Sequence, residues 1–449
     1  MMSFDLFNDE SRELLKFISE ALFQDLQQGE SLSVHFRGED TTYVRWNQSK
    51  VRQNTSVLQR VLSFEYHNNG RRLSKSFTAQ CVLEWDLITA REMLSEARKE
   101  APILPLDPFL VEFMNHGTSL SEYRGNLLSS EDLIHQIAVS AQEVDLAGLY
   151  AGGSIATGNR NSSGQNHWFA NESFFMDFSL YNQQLAAKSC YSGFHWDQNK
   201  FNDSLALARR QLEVMNRPRK KLTPGNYRAY LAPSAISEIA SMFAWGPLSY
   251  RAYKNGANAL KKLQDKERKL SPQFSISENF HLGLTPRFND LGELAPEKMQ
   301  IIEHGELKQL LVSSRSAKEY GIAGNYASSS EAPRSLEIAA GGLSKSHVLK
   351  ELGTGLYLSN LHYINWSDLQ NARITGMTRY ACLWVEDGEI VAPIEDMRFD
   401  VSLFDIFGDS LLAITDFQEV DPSVDTYFQR ALGGRKLPGM LIKDFNFTL

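Results

Sequence analysis

The chain carries ten histidines, and their spacing limits the chemistry they can do. A helical zinc-protease site needs two histidines about one turn apart, so that both imidazoles reach one ion, with a glutamate as base. The closest pair here, His347 and His362, lies fifteen positions apart, and neither Cys-x-x-Cys nor His-x-x-x-His occurs. Ordinary core and surface histidines account for this scatter, with ligands converging from distant positions left open. The three thiols, Cys81, Cys190 and Cys382, read as members of apolar strands. Cys382, in RYACLWVE, falls in an alternating run that reads as buried, where a thiol is inert. No G-x-S-x-G elbow is present. Gly153 and Gly158 have the glycine spacing of a phosphate loop, but Asn159-Arg160 stand where lysine and a hydroxyl residue are needed. The two glycines read instead as bulges or turns in a β-rich stretch. Basic clusters at 217–221 and 261–269 lack interleaved aromatics to stack bases, and both read as solvated charge.

Chemistry is often placed where a strand hands over to a helix, and RAYLAPSAISEIASMFAW (228–245) has that pattern. Its only acidic residue is Glu238. Ile236, Ile239, Ala240 and Phe243 follow the i, i+3, i+4, i+7 spacing of a core-facing stripe. Ser234 is a candidate cap, and Gly246-Pro247 is a firm stop. Glu238 falls off the stripe and reads as solvated.

The elements that must hold these residues form an α+β pattern. At 449 residues the chain exceeds one compact core, and its 42% apolar and 22% charged content is that of a globular protein. The net charge of −8 gives no case for nucleic acid or an anionic membrane as partner. No window offers the roughly 20 apolar residues of a membrane span. The early acids of MMSFDLFNDE argue against a secretory signal, so a cytoplasmic protein is expected. Residues 10–28 predict an amphipathic helix ended by Gly29. Strands follow over SLSVHFRGEDTTYVRWNQ and RVLSFEYHNNGRRLSKSFT, with Asn69-Gly70 as a hairpin turn, and then helices near 85–98, 131–142 and 202–216. RPRKKLTPG (217–225) reads as a linker between an N-terminal domain, 1–216, and a β-rich C-terminal domain, 226–449. In the latter, YRAYKNGANALKKLQDKERK predicts one helix, and EHGEL and EDGEI predict hairpins.

Several of these stretches together resemble the TldD/PmbA family, known as modulators of DNA gyrase and as peptidase-related proteins. They are TGMTRYACLWVEDGEIVAPIEDMRFDVSLFDIF (375–407), DLAGLYAGG with NSSGQNHWF (145–169), and IIEHGELKQLLVSSRSAKEYGIAGNYAS (301–328). With the N-terminal helix and strands, the resemblance covers essentially the whole chain.

The resemblance implies the family's two-domain α+β fold and a dimer formed through the C-terminal domain. TldD-type subunits carry a histidine-glutamate-x-x-x-histidine zinc motif on a helix opening the C-terminal domain, while PmbA-type (TldE) partners lack it. The segment at that place here, PSAISEIASMFAW, has neither histidine, and LPGMLIKDFNFTL has no counterpart of the TldD-type cysteine ligand. The expectation is therefore a metal-free, PmbA-like subunit with no catalytic or metal residue, which binds extended peptides. Zinc is expected only on a TldD-type partner, and pairing with that chain or with a second copy stays open. Asn325, Gly376 and Arg379 are candidates for a peptide groove, with a role as turn residues equally open. The alternatives are an active metallopeptidase with dispersed ligands and a non-enzymatic protein that modulates gyrase or another partner.

Overall fold

The computed structural model describes residues 2–448. Helix α1 (Phe4–Gln24) starts at Ser3, whose hydroxyl accepts from Leu6 N–H. It buries Leu14, Leu15, Ile18 and Leu22, and ends five residues before Gly29 rather than at it. Strand β1 (Glu30–Asn47) turns into β2 (Lys50–Asn68) through Gln48-Ser49, both at φ 53°. The latter turns into β3 (Arg71–Thr78) through Asn69-Gly70, as the turn signal predicts. The sequence reading started β2 near Arg60. Its first ten residues were missed because Lys50–Ser56 are all exposed, which removes the alternation that marks a half-buried strand.

The N-terminal half continues with α2 (Leu83–Glu100), β4 (Thr118–Tyr123), α3 (Ser130–Ser140), β5 (Asp145–Asn161), β6 (Asn166–Asn182), β7 (Leu185–Gly193) and α4 (Gln198–Met215). Its strands form one sheet in the order β3-β2-β1-β5-β6-β4, with β7 also pairing β6. Helices α1 and α2 close one apolar cluster over this sheet, and α3 and α4 close a second. Gly153 and Gly158 mark neither a turn nor a bulge. They lie inside regularly paired β5, because a Cβ at Gly153 would sit 2.1 Å from the Asp40 carbonyl and one at Gly158 2.5 Å from Leu15 Cδ2.

The second half opens with β8 (Gly225–Leu231) and α5 (Pro233–Ser241), followed by α6 (Tyr250–Lys254) and α7 (Lys261–Gln264). The single helix expected over 250–269 is thus two short ones, broken at Gly256 (φ 72°). Asn258 fixes the break by donating to the carbonyls of Gly246, Pro247 and Ser249. Next come β9 (Ile276–Asn279), β10 (Lys298–Glu303), β11 (Glu306–Leu307), α8 (Ser314–Tyr320), β12 (Ser335–Ile338) and α9 (Val348–Leu352). The chain ends with β13 (Gly355–Asp368), β14 (Arg373–Glu386), β15 (Glu389–Pro393), β16 (Arg398–Ser402), β17 (Leu411–Pro422) and β18 (Gly434–Phe447). The order is β11-β10-β9-β12-β18-β16-β14-β13-β8, and β8 pairs back onto β18, so five strands close into a ring. The EHGEL and EDGEI hairpins form as read, with His304-Gly305 and Asp387-Gly388 at positive φ.

The basic clusters are mostly exposed, as read, and several of their side chains have surface partners. Arg217 donates to the carbonyls of Ile390 and Val391, and Lys220 pairs with Glu386 at 2.6 Å beneath the Trp384 ring. Lys261 pairs with Asp265, and Arg268 with Asp409. Across the seam, Arg430 from the β17–β18 loop is buried against β5 and β6. It donates to the carbonyls of Ala151, Gly153 and Ser173, while Glu39 accepts its backbone N–H. Burial pushes its pKa down to about 10, against the pull of nearby Tyr150, Tyr43 and Glu39.

Also on the seam, fully buried His167 stacks on Phe288 at 5.3 Å and places Nδ1 2.8 Å from Ser119 Oγ. Burial, with His116 beside it, holds its pKa below the ordinary value, and burial does the same for His35 against the opposing pull of Asp290 and Glu65. The unfolded chain therefore binds more protons than the folded one below about pH 6.5, so the contribution of these rings is present above that pH and lost as pH falls. The urea midpoint should be lower at about pH 5.5 than at about pH 7.5, a window above the range of unperturbed carboxylates, with the raised carboxyls of Glu238 and Glu419 acting in the opposite sense. The difference should shrink in His167→Gln; an unchanged difference would remove His167 from the account.

Candidate functional site

The β8–α5 junction is built from the middle of the closed ring. β8 is paired on both sides, to β13 and β18, and Pro233 at the first turn of α5 fixes the exit from the strand. Ile236, Ile239, Ala240 and, in the following 3-10 turn, Phe243 are all buried, which at roughly 1.5–3 kcal/mol per large apolar side chain makes α5 a packing helix. Ser234 is exposed and does not cap; Ala232 holds that position without a side-chain hydrogen bond. Gly246, at φ 100°, ends the segment as read. The polar side of α5 is clipped to the sheet: Ser237 Oγ donates to Asp421, Asp421 pairs with Arg435 at 3.4 Å, and Arg435 donates to the Ser237 carbonyl.

Glu238 is exposed, as the stripe requires. Desolvation raises its carboxyl pKa, Arg435 lowers it, and Asp421 raises it further. If Glu238 is taken as the glutamate of a His-Glu-x-x-x-His motif, the histidine positions fall on Ser237 and Met242. Ser237 is committed to Asp421, and Met242 is 1% exposed in the core. Among the described residues, no group of three His, Cys, Asp or Glu side chains converges as a metal site. The acids and thiol around α5 (Cys190, Glu238, Glu419, Asp421) include no imidazole. With no imidazole and no three of these groups converging, the set does not fit the histidine-containing sites of catalytic zinc.

In front of the junction lies a cleft of about 520 Å³, a volume in the usual range for a ligand site. Lys188, Ser189 and Cys190 of β7 form one wall, α4 a second, and β8 with the start of α5, α9, β13, β14, β15 and β17 the remainder. Successive side chains of a strand point to opposite faces, so a cavity touched by three in a row meets β7 at its edge. Among the described residues that edge is free of ladder partners, since β7 pairs with β6 alone.

Apolar surface comes from Leu207, Val348, Leu383 and the ring pair Tyr230–Tyr357 at 5.3 Å. Burial pushes both tyrosine hydroxyls well above their ordinary pKa. Lys188 Nζ is 3.1 Å from Asp177; burial lowers its pKa, and Asp177 more than restores it. Burial raises the Cys190 thiol well above its usual value and also raises the Glu419 carboxyl. Among the described residues lining the cleft, the buried hydroxyl of Ser359, a residue only 5% exposed, has no hydrogen-bond partner.

Of the three groove candidates, Gly376 and Arg379 share β14, and Asn325 lies in a separate loop. Asn325 is a loop fastener: its amide donates to Gln309 and Leu310, and its oxygen accepts from Val312 N–H. Gly376 is a close-packing position, where a Cβ would meet the Phe399 ring at 2.6 Å. Arg379 stacks on Tyr380 and pairs across the ladder with Asn360, which lines the cleft. Cys382 is buried as read, its pKa pushed up to about 11 by burial. Cys81 departs from the reading: it is exposed in a turn at φ 62°, where its sulfur accepts from Arg60.

The sequence reading missed Lys188, Cys190, Tyr230, Tyr357, Ser359 and Glu419. The alternation in LAAKSCYSG does put Lys188 and Cys190 on one face, but only the topology shows that β7 closes a cleft with β13 and β17.

Similarity to known proteins follows the same architecture. Residues 224–449 match the model of the PmbA/TldA metallopeptidase C-terminal domain. A metalloprotease PmbA of Escherichia coli O157:H7 is 31% identical over 135 residues, which are 30% of this chain and only 29% of that relative. A crystal structure of a modulator of a DNA gyrase from Thermotoga maritima superposes with a TM-score of 0.77 at 15% identity, covering 99% of this chain and 100% of that one. TldE from Thermococcus kodakarensis gives 0.72 at 13%, covering 98% and 99%. A modulator of DNA gyrase from Bacteroides thetaiotaomicron gives 0.75 at 16%, also covering 98% and 99%. At these identities the structures establish the fold. The chain, with its mixed α+β fold, belongs to the PmbA/TldD family.

Proposed function

We propose that this chain is a non-catalytic, TldE-like subunit of a metallopeptidase assembly, which holds an extended peptide while zinc is supplied by a TldD-type partner. The observation that carries this reading is the β8–α5 junction. The helix has packing residues and a Ser237–Asp421–Arg435 clip where metal ligands would stand, yet a cleft with a free strand edge remains in front of it. Loss of ligands with retention of the cleft is what a binding subunit needs.

In this reading the peptide main chain adds to the edge of β7 through N–H and C=O groups, which is independent of peptide sequence. Its side chains alternate toward the Tyr230–Tyr357 wall and toward solvent. Lys188 and the unpaired Ser359 hydroxyl supply polar contacts at the base. The raised pKa of the Cys190 thiol makes it a poor nucleophile at neutral pH, so it lines the wall without reacting. The absence of a helix long and apolar enough to cross a membrane among the described residues fits the cytoplasmic setting we propose.

The purified chain should bind a fluorescein-labelled, reduced and carboxymethylated casein without cleaving it, and elemental analysis should find no stoichiometric zinc. Cleavage lost on chelation, together with one zinc per chain, would instead establish a metallopeptidase. A second expectation concerns Ser359. Replacing a buried, unpaired hydroxyl by a methyl group removes an unmet desolvation cost, so Ser359→Ala should gain about 1 kcal/mol in urea denaturation. The same variant should bind casein more weakly. Equal binding with raised stability would remove Ser359 from the site.

A further inference from the structure

The Arg430 guanidinium has one donor that the fold does not use. Its two Nη groups are met by carbonyls of β5 and β6, but Nε is buried and has no hydrogen-bond partner among the described residues. The residue is 2% exposed, so bulk water does not serve that donor. Two acids stand near it, and both are engaged elsewhere. Glu39 accepts the Arg430 backbone N–H at 3.2 Å, the Tyr43 hydroxyl at 2.8 Å and the Gln59 amide. Glu172 accepts from Gly125 N–H at 3.1 Å. A buried charge with an unmet donor is costly, and an anion placed against it offsets that cost.

Arg430 lines a cavity of about 160 Å³ at the seam. Ile155, Phe174, Phe194, Leu284 and Leu432 make most of its wall, while Ser192 and Ser423 bring hydroxyls. An apolar cavity of about 150 Å³ accepts a benzene ring, so this one has room for a single ring or a branched aliphatic group. A cation with a spare donor beside a ring-sized apolar space suits a carboxylate carried on an apolar group.

This cavity continues the cleft. Lys188, Ser189 and Cys190 of β7 line the cleft, and Ser192 and Gly193 of the same strand line the cavity. On β17, Glu419 belongs to the cleft, and Val420 and Pro422 belong to the cavity. Cys190 and Ser192 share a face of β7, about 7 Å apart at the rise of a strand. A peptide running parallel to β7 therefore brings its C-terminal end to the cavity.

We propose that the cavity is a carboxylate-binding subsite, which takes an apolar side chain while Arg430 Nε donates to the carboxylate. Two ligands share that chemistry. One is the C-terminal residue of a peptide in the cleft, which rests on the proposed peptide binding; the other is a free organic acid. Either brings to Arg430 the anion that Glu39 and Glu172 do not supply.

Isothermal titration calorimetry of the full chain tests the subsite with acetyl-Ala-Ala-Phe as free acid, the same peptide as its C-terminal amide, and phenylacetate. The free-acid peptide should bind roughly tenfold or more tightly than the amide, the scale of a hydrogen bond to a charged group. A peptide that outbinds phenylacetate identifies a chain terminus as the ligand, and the reverse order identifies a free acid. Arg430→Lys removes the Nε donor and should abolish the preference for the acid, but it also loosens the seam. Ser192→Leu fills the cavity from β7 with Arg430 in place, and should abolish the same preference. Equal binding of acid and amide, no binding of either acid, or an unchanged preference in Ser192→Leu would each overturn the proposal. Casein binding retained alongside such a result would remove this subsite alone and leave the cleft reading standing.

Discussion

Arg430 brings a charged guanidinium into a sheet and finds no carboxylate ion pair there. Its hydrogen bonds run to the carbonyls of Ala151, Gly153 and Ser173, whose oxygens each carry a second lone pair beyond the ladder. Its two terminal nitrogens find these acceptors while the buried Nε finds none, so the β17–β18 loop is held where the Nη groups reach the three carbonyls. That placement fixes the two sheets relative to each other, and the cleft has walls from both. β7 and α4 come from the first half, and β8, β13, β14 and β17 from the second. The site is therefore a property of the seam and not of either half alone.

Within this frame the β8–α5 junction has been given over to packing. The two positions where the histidines of the zinc motif would stand are engaged otherwise, Ser237 in a clip and Met242 in the core, and Glu238 lies toward solvent beside Arg435. The family relationship then gains content. The fold shared with the metallopeptidase relatives is kept, and around this helix stand an open cleft and a free strand edge, with no convergent metal-ligand group among the described residues.

What could be read from the sequence follows from how local each signal is. Asn69-Gly70, His304-Gly305 and Asp387-Gly388 state their turns outright, because positive φ is a property of one or two residues. The α5 stripe was equally plain, since its period lies within one helix. The long helix expected over 250–269 failed because Asn258 ties carbonyls from an earlier loop, a contact that no helical period encodes. The first half of β2 was invisible because an exposed edge strand has no apolar face to alternate. The cleft itself was beyond reach: Lys188, Tyr230, Ser359 and Glu419 come from four separate segments and share no spacing. Ser234 shows the reverse error, where a plausible local role as a cap gave way to a helix whose cap position is Ala232.

The central claim is that an extended peptide lies along β7. Amide hydrogen exchange of the full chain, with and without reduced, carboxymethylated casein, tests it most directly. Added casein should slow exchange over Leu185–Gly193 and leave the hairpin at His304-Gly305 unchanged. Unaltered exchange across Leu185–Gly193 while casein is demonstrably bound would contradict the account.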